Sequence, residues 1–430
     1  MIINTTTIDS FKNLYPFRLD TFQLQALDIL LKGQSVMVTA PTGSGKTVIA
    51  EFAVHHALSL QKRVLYTTPL KALSNQKYRD FHEQYGDLVG LLTGDVSINP
   101  DSALVVMTTE ILRNMLYQNL YRLHEVLYII IDECHHVANE NCKKILNDQI
   151  PFRLGLSATP ENETDLTANN VLFDFFKEIT PDEYGLSDAI RDGILNPYNY
   201  YPIISDLNKD EVKAFELILR EILEAKIAND STRLAQLYTQ RDEFVDQAKT
   251  KLPLLQKLLT KIEDRKHLIV YCSGNSQLED VAKIMKIYAI KFGIITANES
   301  TKDRKTMLEQ FRKGYIQVLL SILILDEGID IPAVKTAFIL KSSARTRQSV
   351  QRRGRCLRLL RDDQGKVIQK NVSIYDFLVI PQEVSADKRI TEINDELVNG
   401  EIMRIREFLS LAKNKKDAEQ IINERRNIFN

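Results

Sequence analysis

Short, continuous apolar runs alternate with longer stretches of helical period through about residue 180. Ser35 to Thr39 reads as a short strand entering a Gly-rich turn, and Val48 to Leu60 carries apolar residues at three- and four-residue spacing. Arg63 to Thr67, Ala103 to Met107, Val126 to Ile131 and Arg153 to Ser157 read as further strands. Lys71 to Tyr85 and Glu110 to Tyr121 read as helices between them. Continuous rather than alternating apolar strands, each followed by a helix, predict a parallel sheet covered on both faces.

The pattern breaks in a proline- and tyrosine-rich stretch from Pro181 to Pro202, which sets a domain boundary near Asn196 and Pro197. Lys209 to Lys261 is charged and helical, and reads as a helical hairpin packed on the second domain. The strand and helix rhythm then resumes. His267 to Cys272, Phe292 to Thr296, Ile316 to Leu320 and Val334 to Leu340 are expected strands. Asn275 to Lys286, Asp303 to Arg312 and Ser349 to Arg361 are expected helices. The division expected is residues 1–195, residues 196–380 with the hairpin at about 209–261, and a charged helical tail at 381–430. The fold class is α/β, with two tandem domains of one architecture.

Composition is that of an ordinary globular chain: 44% hydrophobic and 26% charged over 430 residues. No apolar stretch approaches the roughly 20 residues of a membrane helix, so no membrane association is expected. The start, MIINTTTIDSFKNLYPF, has neither a basic opening nor an apolar core, so no signal peptide is expected and the compartment is read as cytoplasmic. Cys134, Cys142, Cys272 and Cys356 form no C-x-x-C pair and read as reduced thiols. Net charge is −1, which does not suggest passive nucleic-acid binding. The mean hides one local bias: Lys341 to Arg361 holds eight Lys or Arg and no Asp or Glu.

Ala40-Pro41-Thr42-Gly43-Ser44-Gly45-Lys46-Thr47 fits a phosphate-binding loop, with Ala40 in place of its first glycine. Gly43 and Gly45 let the backbone turn its N–H groups toward phosphate. The following helix adds its positive end. Lys46 supplies a point charge, and Thr47 offers a hydroxyl to Mg²⁺. Such a loop points to ATP.

Downstream, IIIDECH at Ile129 to His135 ends an apolar strand in two acids. Asp132 is a candidate Mg²⁺ holder, and Glu133 a candidate base for the attacking water. Cys134, His135 and His136 have the chemistry of metal ligands, but the Asp-Glu motif accounts for this segment better. Ser157, Ala158 and Thr159 suit a hinge whose hydrogen bonds exchange with nucleotide state. In Gln348 to Arg358, QSVQRRGRCLR, a helix would put Arg355 and Arg358 on one face, able to reach a γ-phosphate. A basic surface that touches nucleic-acid phosphate directly is the alternative.

Together these residues resemble superfamily 2 helicases of the DEAD/DEAH-like kind, over roughly residues 15–380. The resemblance implies two RecA-like domains with a helical insertion and a helical tail. FRLDTFQLQAL, Phe17 to Leu27, is similar to the segment that reads adenine, with Gln23 the matching glutamine. TTPLKALSNQKY, TGD at Thr93 to Asp95, and MTTEILRNMLY from Met107 resemble the first domain of Ski-type and Mtr-type RNA helicases. That implies Pro69, Lys71, Thr93, Gly94, Thr108 and Thr109 on the strand-binding face, touching sugar and phosphate. The second half, with DECHH, GLSATP, LILDEGIDIP and QSVQRRGRCLR, resembles XPB-type and RadD-type DNA repair helicases. It implies that Glu327, Gly328 and Asp330 couple ribose and strand, with Gln351 in the coupling set. Thr296 matches a strand contact, although Ala297 stands where relatives carry glycine.

The expected function is therefore an ATP-dependent helicase or translocase, moving 3′ to 5′ by the resemblance. Its partner is single-stranded or partly duplex DNA or RNA, and the tail could receive protein partners. Two other readings stand beside it: an ATP-gated clamp that does not unwind, and a phosphate-loop transporter or kinase unrelated to nucleic acid.

Overall fold

The computed structural model describes residues 7–41, 43–117, 125–138, 145–146, 149–158, 166–179, 184–296, 299, 301–322, 331, 333–341, 356–361, 367–368, 370–381 and 384–426. Two compact units divide the chain, Met1–Asp192 and Gly193–Asn430.

In the first unit the strands are β1 (Val36–Thr39), β2 (Arg63–Thr68), β3 (Val89–Leu92), β4 (Ser97–Ile98), β5 (Leu104–Thr108), β6 (Val126–Asp132), β7 (Phe152–Ser157) and β8 (Glu178–Ile179). Their order is β4-β3-β5-β2-β6-β7-β1-β8. Every described pair is parallel except β3 with β4. The helices are α1 (Ile8–Lys12), α2 (Thr21–Leu31), α3 (Lys46–Ser59), α4 (Lys71–Tyr85), α5 (Thr109–Tyr117), α6 (Leu166–Phe176) and α7 (Leu186–Arg191). Strands β2 and β5 are buried almost throughout, which explains their unbroken apolar sequence. Helix α3 buries Val48, Ile49, Ala50, Phe52, Ala53, Val54, Ala57 and Leu58, more than one face. It is enclosed by neighbours rather than lying on the surface.

A parallel sheet delivers every strand-to-helix loop to one edge. In open α/β sheets ligands bind beyond that carboxyl edge. Here the edge has two neighbouring halves. The loops after β1, β6 and β7 carry the phosphate-loop, Asp-Glu and Ser157 residues. The loops after β2, β3 and β5 carry Pro69, Lys71, Thr93, Gly94 and Thr109. Strands β2 and β6 pair directly, so the halves meet at mid-sheet.

The second unit has β9 (Tyr198–Ser205), β10 (Leu268–Cys272), β11 (Phe292–Ile295), β12 (Val318–Ile322), β13 (Thr336–Ile339), a short antiparallel pair β14 (Leu360–Arg361) and β15 (Val367–Ile368), and β16 (Val372–Val379). The main sheet is parallel, in the order β11-β12-β10-β13-β16-β9. Its helices are α8 (Lys209–Ile227), α9 (Ser231–Asp246), α10 (Lys251–Lys261), α11 (Asn275–Ile287), α12 (Thr301–Arg312), α13 (Lys388–Leu411) and α14 (Lys415–Arg426).

Three differences from the sequence reading have physical causes. Strand β9 occupies the proline- and tyrosine-rich stretch read as a break. It lies at the sheet edge, where Pro202 costs no ladder bond on the open side. The charged region 209–261 is three helices: α8 and α9 pack together, whereas Leu255 and Leu259 of α10 join the core of the sheet. The third concerns Arg358. The predicted helix runs through Arg361, but the chain turns at Leu357, and Arg358 forms a β-bridge with Leu195. Asn196 holds this extended segment: its backbone N–H donates to the Leu357 carbonyl at 2.7 Å, and its amide to the Leu357 and Arg358 carbonyls at 3.1 and 2.9 Å. A shared helical face for Arg355 and Arg358 is thus not what positions Arg358.

The tail is built into the second unit. Ile390 and Ile393 of α13 share a core with Phe215, Leu219 and Ile222 of α8. Between α13 and α14, Asn414 both donates to the Tyr200 carbonyl at 3.0 Å and accepts from its N–H at 2.8 Å. The side chain pairs the exposed edge of β9 as a further strand would.

Candidate nucleotide site

Strand β1 ends at Thr39, and the Ala40 N–H donates to the Ser157 carbonyl at 3.2 Å, tying the phosphate loop to the end of β7. Gly43 and Gly45 adopt φ of 91° and 86°, left-handed values that favour glycine. A Cβ at Gly45 would lie 2.7 Å from Gln23 Nε2. That amide donates to the Gly45 carbonyl at 3.1 Å, while Gln23 Oε1 accepts from the Asp20 N–H at 2.8 Å. Gln23, expected to read adenine, is thus 2% exposed and braces the loop from α2. Lys46 opens α3 and curls its ammonium back to the Ala40 carbonyl and, at 3.0 Å, to the Pro41 carbonyl. Ser44 Oγ donates to the Pro41 carbonyl at 2.7 Å.

The acids follow from β6. Asp132 is its last residue, and Tyr66 of β2 donates a hydroxyl proton to Asp132 Oδ2 at 2.8 Å. Burial, then the Asp132 charge, pushes the Tyr66 hydroxyl pKa well above its ordinary value, so it remains a donor. Glu133 has φ of 52°, a left-handed conformation uncommon for a side-chain-bearing residue. Such strain recurs where surrounding structure holds a functional group in place. His135 Nδ1 lies 3.6 Å from Glu133 Oε2 and within 2.9 Å of Ser157 Oγ. Ser157 therefore joins the phosphate loop, through its carbonyl, to the Asp-Glu loop, through its hydroxyl. Ala158 follows in a bend.

On the neighbouring half of the edge, Lys71 Nζ is 3.2 Å from Asp95 Oδ1, which also accepts from Thr93 Oγ1 at 3.0 Å. Gly94 approaches the Lys71 side chain: a Cβ there would lie 3.4 Å from Lys71 Nζ. Pro69 precedes α4 and is half-buried. Thr108 and Thr109 are only 5% and 6% exposed, and the Thr109 hydroxyl sits 3.2 Å from that of Thr67. In the second unit, Thr296 donates from its backbone N–H and its hydroxyl to the Glu299 carboxylate. Thr42, Thr159, Glu327, Gly328, Asp330, Gln351 and Arg355 lie outside the described residues.

Sequence reasoning missed Tyr66 and Lys77 as parts of this site, and it placed His135 in the Asp-Glu motif without its bond to Ser157. Tyr66 is hidden in an apolar strand, and Lys77 looks like a solvated position on a charged helix. Lys77 Nζ nevertheless donates to Thr47 Oγ1 at 3.0 Å.

A Gly-rich loop closing onto a helix at the carboxyl edge of a parallel sheet, beside an Asp-Glu strand end, defines a phosphate-loop nucleotide-binding protein. The DEAD/DEAH box helicase family profile matches residues 20–167, and the helicase conserved C-terminal domain profile matches residues 250–359. An uncharacterized helicase of Schizosaccharomyces pombe is 34% identical over 320 residues, 71% of this chain and 28% of that protein. The probable helicase HelY of Mycobacterium tuberculosis is 53% identical over 133 residues, 31% of this chain and 15% of HelY. The ATP-dependent RNA helicase mtr4 of S. pombe is 52% identical over 126 residues, 29% of this chain and 11% of that protein. The chain thus spans less than a third of the length of these relatives. The Hef helicase domain of Pyrococcus furiosus shares the fold, with a TM-score of 0.54 at 16% identity, covering 86% of this chain and 97% of that one. S. cerevisiae Dbp5 bound to RNA and ADP BeF3 gives 0.57 at 14%, covering 92% and 93%. The chain belongs to the superfamily 2 helicases of the DEAD/DEAH-like group, with Ski-type and Mtr-type resemblance, and its two parallel sheets are RecA-like domains.

Proposed function

We propose that this chain is an ATP-dependent nucleic-acid helicase or translocase, moving 3′ to 5′ on one strand of DNA or RNA. The observation that carries the proposal is the divided carboxyl edge of the first sheet, with a phosphate loop and two acids on one half and Lys71, Thr93 and Gly94 on the adjoining half.

In this reading the backbone of Ala40 to Gly45 and the Lys46 ammonium bind the ATP phosphates. Leaving the Ala40 and Pro41 carbonyls, Lys46 exchanges neutral acceptors for charged ones. The Thr47 hydroxyl and the Asp132 carboxylate are hard oxygen donors, and together they fit Mg²⁺. When bound, Mg²⁺ supplies charge neutralisation at the phosphates. Glu133 orients the attacking water and takes its proton, and His135 with Ser157 holds the loop that carries Glu133. Arg358, with Arg355, is the second domain's contribution to hydrolysis, and Glu327, Gly328, Asp330 and Gln351 belong to the coupling set. Lys71, Thr93, Gly94 and Thr296 meet strand phosphates. Thr108 and Thr109, being buried, serve through the backbone at the start of α5.

The test is strand displacement on 3′-tailed DNA and RNA duplexes, alongside ATP turnover. ATP-dependent displacement is the expected result. Turnover stimulated by a strand but without displacement would leave an ATP-gated clamp, and turnover indifferent to every strand would remove nucleic acid from the function.

A further inference from the structure

Helix α4 touches both halves of the carboxyl edge. Its first residue, Lys71, faces Asp95 and Thr93. Six residues on, about 9 Å along the helix, Lys77 is 9% exposed and donates to Thr47 Oγ1. An ammonium is rarely buried without compensating partners, because desolvating it costs several kcal/mol. The Thr47 hydroxyl of α3 is its hydrogen-bond partner, and the Glu51 carboxylate on the same helix supplies an opposite charge nearby. Glu51 lies one turn beyond Thr47, and it accepts a hydrogen bond from the Tyr15 hydroxyl. Burial raises the Glu51 pKa on balance, against the lowering by the Tyr15 hydrogen bond and the Lys77 charge. The Lys77–Thr47 hydrogen bond thus joins α4, which opens among the strand-facing residues, to α3, which opens at the phosphate loop.

We propose that Lys77 is a positioning residue that couples strand binding to the nucleotide site. A hydroxyl has two acceptor lone pairs and one proton. By donating to Thr47 Oγ1, Lys77 occupies one lone pair and sets the direction of the other, the one a Mg²⁺ ion at the phosphate loop would use. A strand phosphate that draws Lys71 away from Asp95 acts on the first turn of α4. The hydrogen-bonded helix carries that displacement to Lys77, and Lys77 to Thr47. Strand occupancy is thereby read at the metal-facing hydroxyl inside one domain. This inference rests on the proposed reading that a strand binds over Lys71 and Thr93.

The deciding variant is Lys77→Met with Glu51→Gln in the full chain, because Lys77→Met alone removes a positive charge that favours ionised Glu51. Three quantities are read: affinity for a fluorescent ATP analogue in Mg²⁺ and in EDTA, affinity for a labelled single strand, and turnover with and without saturating strand. The double variant should bind the strand as wild type does, and bind nucleotide in EDTA as wild type does. It should lose most of the affinity gained on adding Mg²⁺. Its ratio of stimulated to unstimulated turnover should fall towards 1. A wild-type stimulation ratio and a wild-type Mg²⁺ gain in the double variant would overturn the relay alone. Absence of strand stimulation in wild type would overturn the functional reading, and the relay with it.

Discussion

The two halves of the first domain's carboxyl edge differ in how their side chains are held. Among the described residues around the loops after β1, β6 and β7, the polar side chains are held by protein partners: Gln23 on Gly45, Lys46 on the Ala40 and Pro41 carbonyls, Tyr66 on Asp132, His135 on Ser157. Around the loops after β2 and β3 the buried hydroxyls of Thr68 and Ser74 bond to each other, but the charged contact, Lys71 with Asp95, joins side chains that are 55% and 67% exposed. A packed, hydrogen-bonded site is preorganised and tolerates little change. An exposed ion pair is worth little and exchanges readily with another anion. One half is suited to chemistry that needs fixed geometry. The other is suited to a backbone that slides past and must be released.

The comparison predicts severe losses on the first half. Lys46→Ala should abolish nucleotide binding or reduce turnover to background, measured by nucleotide-analogue binding and phosphate release. Retained turnover would mean that the loop is not the hydrolytic site. Glu133→Gln should keep ATP binding yet slow single-turnover hydrolysis by about 10²- to 10⁴-fold, the usual contribution of a general base. Normal hydrolysis in that variant would move the base elsewhere. Gly45→Ala should cost about 1–3 kcal/mol in chemical denaturation, because φ is 86° and the new Cβ meets Gln23. It should also weaken nucleotide binding. An unperturbed variant would show that the loop is softer than its bonding suggests.

The second half should respond mildly and in a salt-dependent way. Asp95→Asn removes the charge beside Lys71. It should tighten single-strand binding modestly at low ionic strength, and the difference should shrink as the Debye length falls to about 8 Å near physiological salt. Nucleotide affinity in EDTA should not change. A large, salt-insensitive effect would mean that Asp95 shapes the fold rather than screens the surface.

The sequence exposed the two halves unequally. The phosphate loop and the Asp-Glu strand end were legible because their chemistry needs fixed residue types at fixed spacing. Gly43, Gly45, Lys46 and Asp132 can be read without knowing what packs around them. The strands β1, β2, β5, β6 and β7 were legible because burial on both faces leaves an unbroken apolar run. What escaped depended on distant partners. Lys77 is 30 residues from Thr47, and Tyr66 is 66 from Asp132, so neither pairing leaves a local pattern. Strand β9 escaped because an edge position excuses Pro202. The extended conformation of Arg358 escaped because Asn196, 162 residues away, holds its carbonyl. The tail likewise reads as a solvated charged helix until α8 supplies the surface for Ile390 and Ile393.

The central claim is that ATP hydrolysis on one half of this edge answers to a strand on the other. Steady-state ATP turnover of the wild-type chain, titrated with single-stranded DNA and with RNA of matched sequence, tests it most directly. Turnover should rise saturably with one or both strands, and Lys71→Ala should shift that titration to higher strand concentration without altering turnover in the absence of strand. Turnover that is the same at every concentration of both strands would contradict the account.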